Sequence, residues 1–475
     1  MLRRLLLYAT MVGLFVAGVA ALLSLGSRLE SAAAERPHQE MVGAPSVAAS
    51  GLSERGVLAH LLEQVREPLP LLLLQVAVIV IAARLLGSLF GRWGQPPVVG
   101  EMLAGILLGP SLLGWLWPAS QDALFAADSL EPLWLLSQIG VILFLFVVGI
   151  DLDLAHLRER AAAAVWVSHA SIVAPFLLGT AVSLLVYPAL APAGTAFGAF
   201  ALFMGVALSI TAFPVLARIL EDRGLARTPL GKTAITCAAV GDVTAWCLLA
   251  LVVALAGADA GAGPGVTTLL TVAFVVVILY AVRPLAARLL PAEVGGESHR
   301  KAFVAGVLSF VFLCAVATEA IGIRAPFGAF LAGVAMPRIP SVLDYLRKRV
   351  EALGSVVLLP LFFAFTGLRT EIGLLGDARN WLICAGIIAA AVAGKIGGTM
   401  LAARVSGVAW TDAFALGALM NTRGLIELVV LNLGYELGIL SAEAFAMLVL
   451  MALVTTCMTG PLLQVHGAIS RRRAE

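Results

Sequence analysis

From Pro70 to about residue 465 the chain alternates apolar runs with short charged breaks, and no soluble fold uses that pattern. The runs fall at 70–90, 97–114, 131–150, 163–187, 195–220, 231–257, 266–288, 301–319, 322–337, 354–370, 380–402, 411–435 and 441–465. Several are close to the roughly 20 residues that a helix needs to cross a bilayer. Backbone groups in hydrocarbon must pair within their own segment, so the runs are expected to be helices. The expected fold is therefore all-α and polytopic, with thirteen transmembrane helices and an N-terminal hydrophobic segment. Charged residues make up only 13% of the chain, about half the share of a soluble domain. The net charge of +2 says nothing about nucleic acid, and the chain shows no nucleic-acid motif, so no nucleic-acid partner is expected. Cys237, Cys247, Cys314, Cys384 and Cys457 each fall inside an apolar run without paired spacing, and read as small packing residues.

Residues 1–30 hold Arg3, Arg4 and an apolar run to about Gly26, either a cleaved signal peptide or a signal-anchor helix. Residues 31–69 are polar and aperiodic, an extracytoplasmic linker. The exchange of solvent for lipid then begins at Pro70 and ends at 465, leaving 466–475 as a tail. Basic residues should crowd the cytoplasmic loops. One set of alternate loops holds Arg92; Arg158 and Arg160; Arg223, Arg227 and Lys232; Arg300 and Lys301; Arg338, Arg347, Lys348 and Arg349; Arg404; and Arg471–Arg473. After residue 114 the other set holds only Arg324, Arg369 and Arg379. By this pattern the C-terminus is expected in the cytoplasm and Pro70 outside; the expected location is a cell membrane, a bacterial inner membrane.

The chain also repeats itself. Gly100-Glu-Met-Leu-Ala-Gly-Ile-Leu-Leu-Gly-Pro110 in the second run matches Gly328-Ala-Phe-Leu-Ala-Gly-Val-Ala-Met-Pro337 in the ninth. Phe144-Leu-Phe-Val-Val-Gly-Ile-Asp151 in the third matches Phe362-Phe-Ala-Phe-Thr-Gly-Leu-Arg369 in the tenth. The fifth and twelfth runs each break at a threonine, Thr211 and Thr422. A shift of seven runs is odd, so matched helices would cross in opposite directions. That is the inverted-topology repeat of secondary transporters, whose substrate binds near the midplane at broken helices.

Few ionisable residues lie deep in the runs: Asp242, Lys395, Arg423 and Glu427, with Glu101 and Glu319 nearer the ends. A charge in hydrocarbon is costly, so such residues face a cavity or a partner. Asp242 is about 11 residues into its run, roughly 16 Å at helical rise and so near the midplane. A carboxylate there holds a small cation or a proton, and the two compete for one negative charge. In Leu208-Ser-Ile-Thr-Ala-Phe-Pro-Val215, Pro214 removes a backbone donor, and Ser209 and Thr211 add hydroxyls. The twelfth run breaks at Asn421-Thr422-Arg423-Gly424. Unwound backbone at these two breaks is a candidate cation ligand beside Asp242, with Ser209 and Thr211. Lys395 lies about 10 Å from the end of its run, where it either serves the site or snorkels to the interface. Arg423 and Glu427 are four apart and read as a buried salt bridge bracing the broken helix.

At these motifs the chain resembles the monovalent cation:proton antiporter-2 family, which includes plant cation/proton exchangers and bacterial sodium/proton antiporters. The likeness covers about residues 70–465. It is carried by Gln95-Pro-Pro-Val-Val-Gly-Glu-Met-Leu-Ala-Gly-Ile-Leu-Leu-Gly-Pro-Ser111, Ser209-Ile-Thr-Ala-Phe-Pro-Val-Leu-Ala-Arg-Ile-Leu220, Asp242-Val-Thr-Ala-Trp-Cys-Leu-Leu-Ala250 and Met420-Asn-Thr-Arg-Gly-Leu-Ile-Glu-Leu428. The resemblance implies thirteen helices, a homodimer, separate core and dimerisation domains, and an elevator-like movement of the core. It implies transported Na+ or K+ and H+ and no other cofactor. The family's acidic pair falls at Gly241-Asp242; its first position, usually Asp or Asn, is Gly241 here. In relatives with two carboxylates the first is thought to pair with the lysine matching Lys395, and Gly241 offers no such partner. One-for-one, electroneutral exchange is the expectation. The departure also keeps open a cation channel or a non-transporting sensor on the same scaffold. No cytoplasmic nucleotide-binding domain is expected after the tail. An intramembrane enzyme is disfavoured: the runs hold no H-E-x-x-H and no nucleophile–base pair.

Overall fold

The computed structural model describes residues 2–26, 67–126, 129–151, 161–256, 263–289, 297–322, 324–337 and 339–474. Among these residues every regular element is a helix. In order they are α1 (Leu2–Gly26), α2 (Pro68–Arg92), α3 (Pro97–Leu108), α4 (Pro118–Leu124), α5 (Leu130–Asp151), α6 (Ala161–Leu190), α7 (Phe197–Ser209), α8 (Phe213–Asp222), α9 (Pro229–Ala256) and α10 (Gly263–Val276). There follow α11 (Arg283–Leu289), α12 (Glu297–Ile321), α13 (Ala325–Ala335), α14 (Pro340–Leu353), α15 (Leu359–Leu368), α16 (Ala378–Val392), α17 (Gly398–Val405), α18 (Trp410–Met420), α19 (Leu425–Glu436) and α20 (Ala442–Ala474). Wide π-helical turns join α10 to α11, α14 to α15 and α16 to α17.

Among the described residues nine helices are long and apolar enough to cross a membrane. The fifth and twelfth predicted runs fall short because each is split in two, at α7–α8 and α18–α19. The ninth and tenth fall short because α13 and α15 hold only 11 and 10 residues. The protein is a multi-pass membrane protein. Most of the predicted linker, residues 31–66, and the loop carrying Arg158 and Arg160 lie outside the described residues. The predicted N-terminal hydrophobic segment forms α1, which packs on α6 with the Phe15 and Phe176 rings 5.2 Å apart.

The helices sort into two bodies. In one, α2 packs on α3, α3 on α15, α15 on α5, α5 on α13, and α13 on α12. In the other, α6 packs on α7, α9 and α17, and α20 packs on α16 and α18. The first is called the scaffold below and the second the core. The repeated glycines perform matching tasks inside the scaffold. Gly105 lies against Ala364 on α15, and Gly367 against Met102, Gly105 and Ile106 on α3. In the other repeat, Gly333 lies against Phe146 and Gly149 on α5, and Gly149 against Phe330 and Gly333 on α13. A methyl at any of the four would collide with facing backbone. Lipid tails are as apolar as leucine, so close backbone approach through small residues holds such helices together. The sequence repeat is thus a repeat of contacts: the second run meets the tenth as the ninth meets the third.

One element differs from expectation. The basic stretch after Arg338 reads as a loop, yet residues 340–353 form α14. Val342, Leu346 and Val350 recur every four residues and are all buried, while Arg347, Lys348 and Arg349 face out. The clustered charges hide this apolar stripe in the sequence.

Candidate functional site

The core is organised around two crossed breaks. Pro214 at the start of α8 has no N–H for the Ile210 carbonyl, so the helix cannot run through residues 210–212. The second break covers Asn421–Gly424, and the two unwound segments meet there. The Ala212 N–H donates to the Thr422 carbonyl at 2.9 Å, and the Thr211 hydroxyl donates to the Met420 carbonyl at 2.9 Å. Gly424 permits this crossing: a Cβ there would sit 2.7 Å from a Val215 methyl carbon and 3.3 Å from the Ala212 methyl. Helix α20 supplies the remaining partners. Its Thr456 hydroxyl accepts from the Arg423 N–H at 3.1 Å and donates to the Arg423 carbonyl at 2.9 Å. The Thr422 and Thr459 hydroxyls are 3.2 Å apart.

A helix ends with four carbonyls that lack intrahelical donors, and these concentrate negative charge. At the end of α7 side chains satisfy all four. The Ser209 hydroxyl donates to the Val206 carbonyl at 2.9 Å. Arg423 donates to the Ala207 carbonyl at 2.7 Å and the Leu208 carbonyl at 2.6 Å. The Lys395 ammonium donates to the Ser209 carbonyl, and to the Ser171 carbonyl on α6 at 3.0 Å. Arg423 also pairs with Glu427 at 2.9 Å, both side chains fully buried. Lys395 therefore does not snorkel; it is fully buried in the π-helical turn between α16 and α17, pointing at the break. Such turns often mark functional positions.

Asp242 occupies the middle of α9, which runs from Pro229 to Ala256. Its side chain is 2% exposed, and neither carboxylate oxygen has a hydrogen-bond partner. The Phe213 N–H, at the positive end of α8, is set toward the carboxylate but falls short of a hydrogen bond to either oxygen. Asp242 and Lys395 lie close enough to act on each other electrostatically, and Lys395 also feels Arg423 and Glu427. At Gly241 the space is open: an added Cβ would meet only the Ser168 hydroxyl, at 3.5 Å.

The predicted residues thus converge on one place, with two unexpected details. Ser209 and Thr211 direct their hydroxyls at backbone carbonyls, not at Asp242. The carbonyls at the end of α7 are held by Arg423 and Lys395. Asn421 is fully buried with both amide atoms unpartnered, as is the Thr399 hydroxyl one turn beyond Lys395. Sequence reasoning passed over Ser168, Ser171 and Thr399. Their only signal is a small polar side chain in an apolar run, which is too common to single them out.

Two cavities lie between the bodies. One, of about 460 Å³, is lined from the core by Phe213, Arg218 and Ile235 and from the scaffold by Leu143 and Arg347. The other, of about 410 Å³, is lined from the core by Leu249, Asn432 and Glu436 and from the scaffold by Trp134 and Phe362. Ile235 and Leu249 each stand seven residues from Asp242, two turns above and below it on one face of α9. Each cavity approaches the carboxylate from its own side of the molecule.

Comparison with known proteins gives this arrangement a lineage. Residues 76–465 match the family model described as sodium/hydrogen exchanger, transmembrane. The chain is 44% identical to the Na(+)/H(+) antiporter NhaS4 of Synechocystis over 82% of its own length and 96% of that protein. It is 40% identical to the Cation/H(+) antiporter 19 of Arabidopsis thaliana over 86% of its length, and spans about half, 51%, of that plant relative. Its fold matches the sodium proton antiporter MjNhaP1 of Methanocaldococcus jannaschii with a TM-score of 0.59, at 14% identity, over 83% of this chain and 96% of the other. With its two repeats, two crossed breaks and buried mid-helix aspartate, the chain belongs to the sodium/hydrogen exchanger family of membrane antiporters, which are secondary transporters and not enzymes.

Proposed function

We propose that this protein exchanges Na+ or K+ for H+ by alternating access, with Asp242 as the one carboxylate that cation and proton share. The observation that carries the reading is Asp242 itself, a buried carboxylate without a hydrogen-bond partner and with a cavity two turns away on either side. A carboxylate without a hydrogen-bond partner in an apolar interior is costly, so it takes up a cation or a proton. Because it holds only one at a time, access from alternate sides exchanges one for the other. The core carries Asp242 and the crossed breaks, and the scaffold lines both cavities, so a sliding core would expose Asp242 to each side in turn. The scaffold is also the surface for pairing with a second copy, as a homodimer. Thr211 and Ser209 complete the cation site through hydroxyls that turn from their present carbonyls toward the ion. Relatives named as sodium and as potassium antiporters both support a monovalent cation as substrate. A bacterial inner membrane is the proposed location, with the C-terminus in the cytoplasm.

The test is transport in proteoliposomes with Na+ and K+ gradients in turn and the membrane voltage clamped. The expected result is proton movement opposite to the imposed cation gradient. A cation current without proton movement would favour the channel reading instead.

A further inference from the structure

The core and scaffold are pinned together at one mouth, and the pin has a defined construction. Asn432 and Glu436 lie one turn apart on α19, in the core. Thr366 and Arg369 face them from the end of α15, in the scaffold. The Asn432 amide donates to the Thr366 hydroxyl at 2.8 Å, with both residues buried. One turn further out, Glu436 accepts from Arg369 at 3.2 Å and from the Trp134 indole N–H at 2.8 Å. Its second oxygen lies 3.8 Å from Arg324.

The donors are fixed before Glu436 reaches them. The Arg369 guanidinium stacks 4.5 Å over the Phe365 ring. Arg324 is held at 3.2 Å by Glu319, whose other oxygen accepts from the Ala325 N–H at 2.7 Å at the start of α13. Arg324 also adopts φ 81°, the only non-glycine residue with positive φ among the described residues. Three scaffold elements, α5, the turn before α13 and the end of α15, thus converge on one carboxylate from the core. The cluster rims the 410 Å³ cavity, on the face that the loop charges place outside. Charge-assisted bonds to fixed donors are stronger than neutral ones. Both rungs join the same helix pair, so sliding α19 along α15 by one helical turn, about 5.4 Å, breaks both at once.

We propose that Asn432 and Glu436 form a latch that holds the core in the position seen here, and that its release sets how often the core opens toward the outer side. This rests on the exchange reading above, since a latch needs a core that moves. The two claims have separate readouts. Purified protein in lipid nanodiscs, with its five native cysteines replaced by alanine, carries one reporter cysteine: Leu249→Cys in the latched cavity, or Ala217→Cys in the opposite one. Maleimide labelling rates report the opening of each side and need no transport. Glu436→Gln keeps the acceptor oxygen and removes the charge. It is expected to raise the ratio of labelling at 249 to labelling at 217 roughly tenfold, equivalent to about 1.4 kcal/mol in the balance of states. Trp134→Phe removes one donor and leaves every charge in place, so it keeps the test open if Glu436→Gln does not fold. Its expected shift is smaller and in the same direction. A ratio within twofold of the parent in every variant that folds, with cation-driven proton flux intact, would overturn the latch alone. Absence of that flux in the parent protein would overturn the exchange reading, whatever the labelling shows.

Discussion

At the scale of single residues the site turns on one charge. Asp242→Asn keeps the shape of the side chain and removes its ionisation. We expect exchange to be abolished while the protein elutes as a single species and melts within a few degrees of wild type; near-wild-type cation-driven proton movement would sink the shared-carboxylate reading. Asp242 was legible in the sequence, because a lone acid in the middle of an apolar run has few innocent explanations. Lys395 was legible as a buried cation but its partners were not. They are the carbonyls of Ser171 and Ser209, and backbone carbonyls leave no mark in a sequence. The same holds for Arg423, which follows the expected pairing with Glu427 and also closes two carbonyls at the end of α7. Arg423→Leu should therefore cost more than a surface cation. It strands the buried Glu427 as well as the two carbonyls, and loss of one partner from a buried pair is typically worth about 3–5 kcal/mol. Pairing it with Glu427→Leu should recover part of the lost thermal stability in detergent but not all, because the carbonyls stay unpaired. Full recovery would mean that the carbonyl contacts carry no weight.

At the scale of helices the repeat gives the clearest account of which sequence signals survive folding. The matched glycines were visible as G-x-x-L-A-G and as V-G-I and T-G-L, but their task became clear only when each was seen against a partner helix. Gly105 and Gly333 occupy equivalent crossings, so Gly105→Ala and Gly333→Ala should destabilise the protein to a similar degree, about 1–3 kcal/mol each for overpacking. Gly91→Ala and Gly386→Ala add a methyl to open space and should be near neutral. Thermal unfolding in detergent checks this. Unequal costs at 105 and 333 would argue that the repeat is one of sequence without equivalent packing. Helix α14 went unread for the opposite reason. Its basic residues dominate a short window, and the buried stripe of Val342, Leu346 and Val350 shows only every fourth residue. The breaks were legible where a proline marks them, at Pro214. At Asn421–Gly424 no proline stands, and the signal was the match to the first repeat.

At the scale of the whole molecule the question is how much charge moves in one cycle. The open space at Gly241 and the backbone carbonyls that accept from Lys395 bear directly on it. If Asp242 alone carries the cargo, it holds one cation in one half-cycle and one proton in the other. The core then moves the same net charge both ways, and voltage has no purchase on the exchange. Lys395 is the one group placed to change this. It is buried, it caps the α7 carbonyl end, and if it released its proton as the cation binds, each cycle would move a second proton. In this structure its Nζ donates to the Ser171 and Ser209 carbonyls, and neither Asp242 oxygen has a hydrogen-bond partner, so Lys395 braces the break and is not itself the cargo site. We therefore expect wild-type exchange in voltage-clamped proteoliposomes to proceed at the same rate and reversal point from 0 to about −100 mV, a span over which one uncompensated charge would be worth about 2.3 kcal/mol. Gly241→Asp tests the cause. The added Cβ has room beside Ser168, on the helix whose Ser171 carbonyl accepts from Lys395, and the new carboxylate is expected to offer Lys395 a partner. Exchange by this variant should become voltage-dependent or shift its pH dependence, while Gly241→Ala, which adds the methyl without the charge, should do neither. A clear voltage dependence in the wild type would instead make Lys395 a proton carrier and overturn the one-for-one assignment.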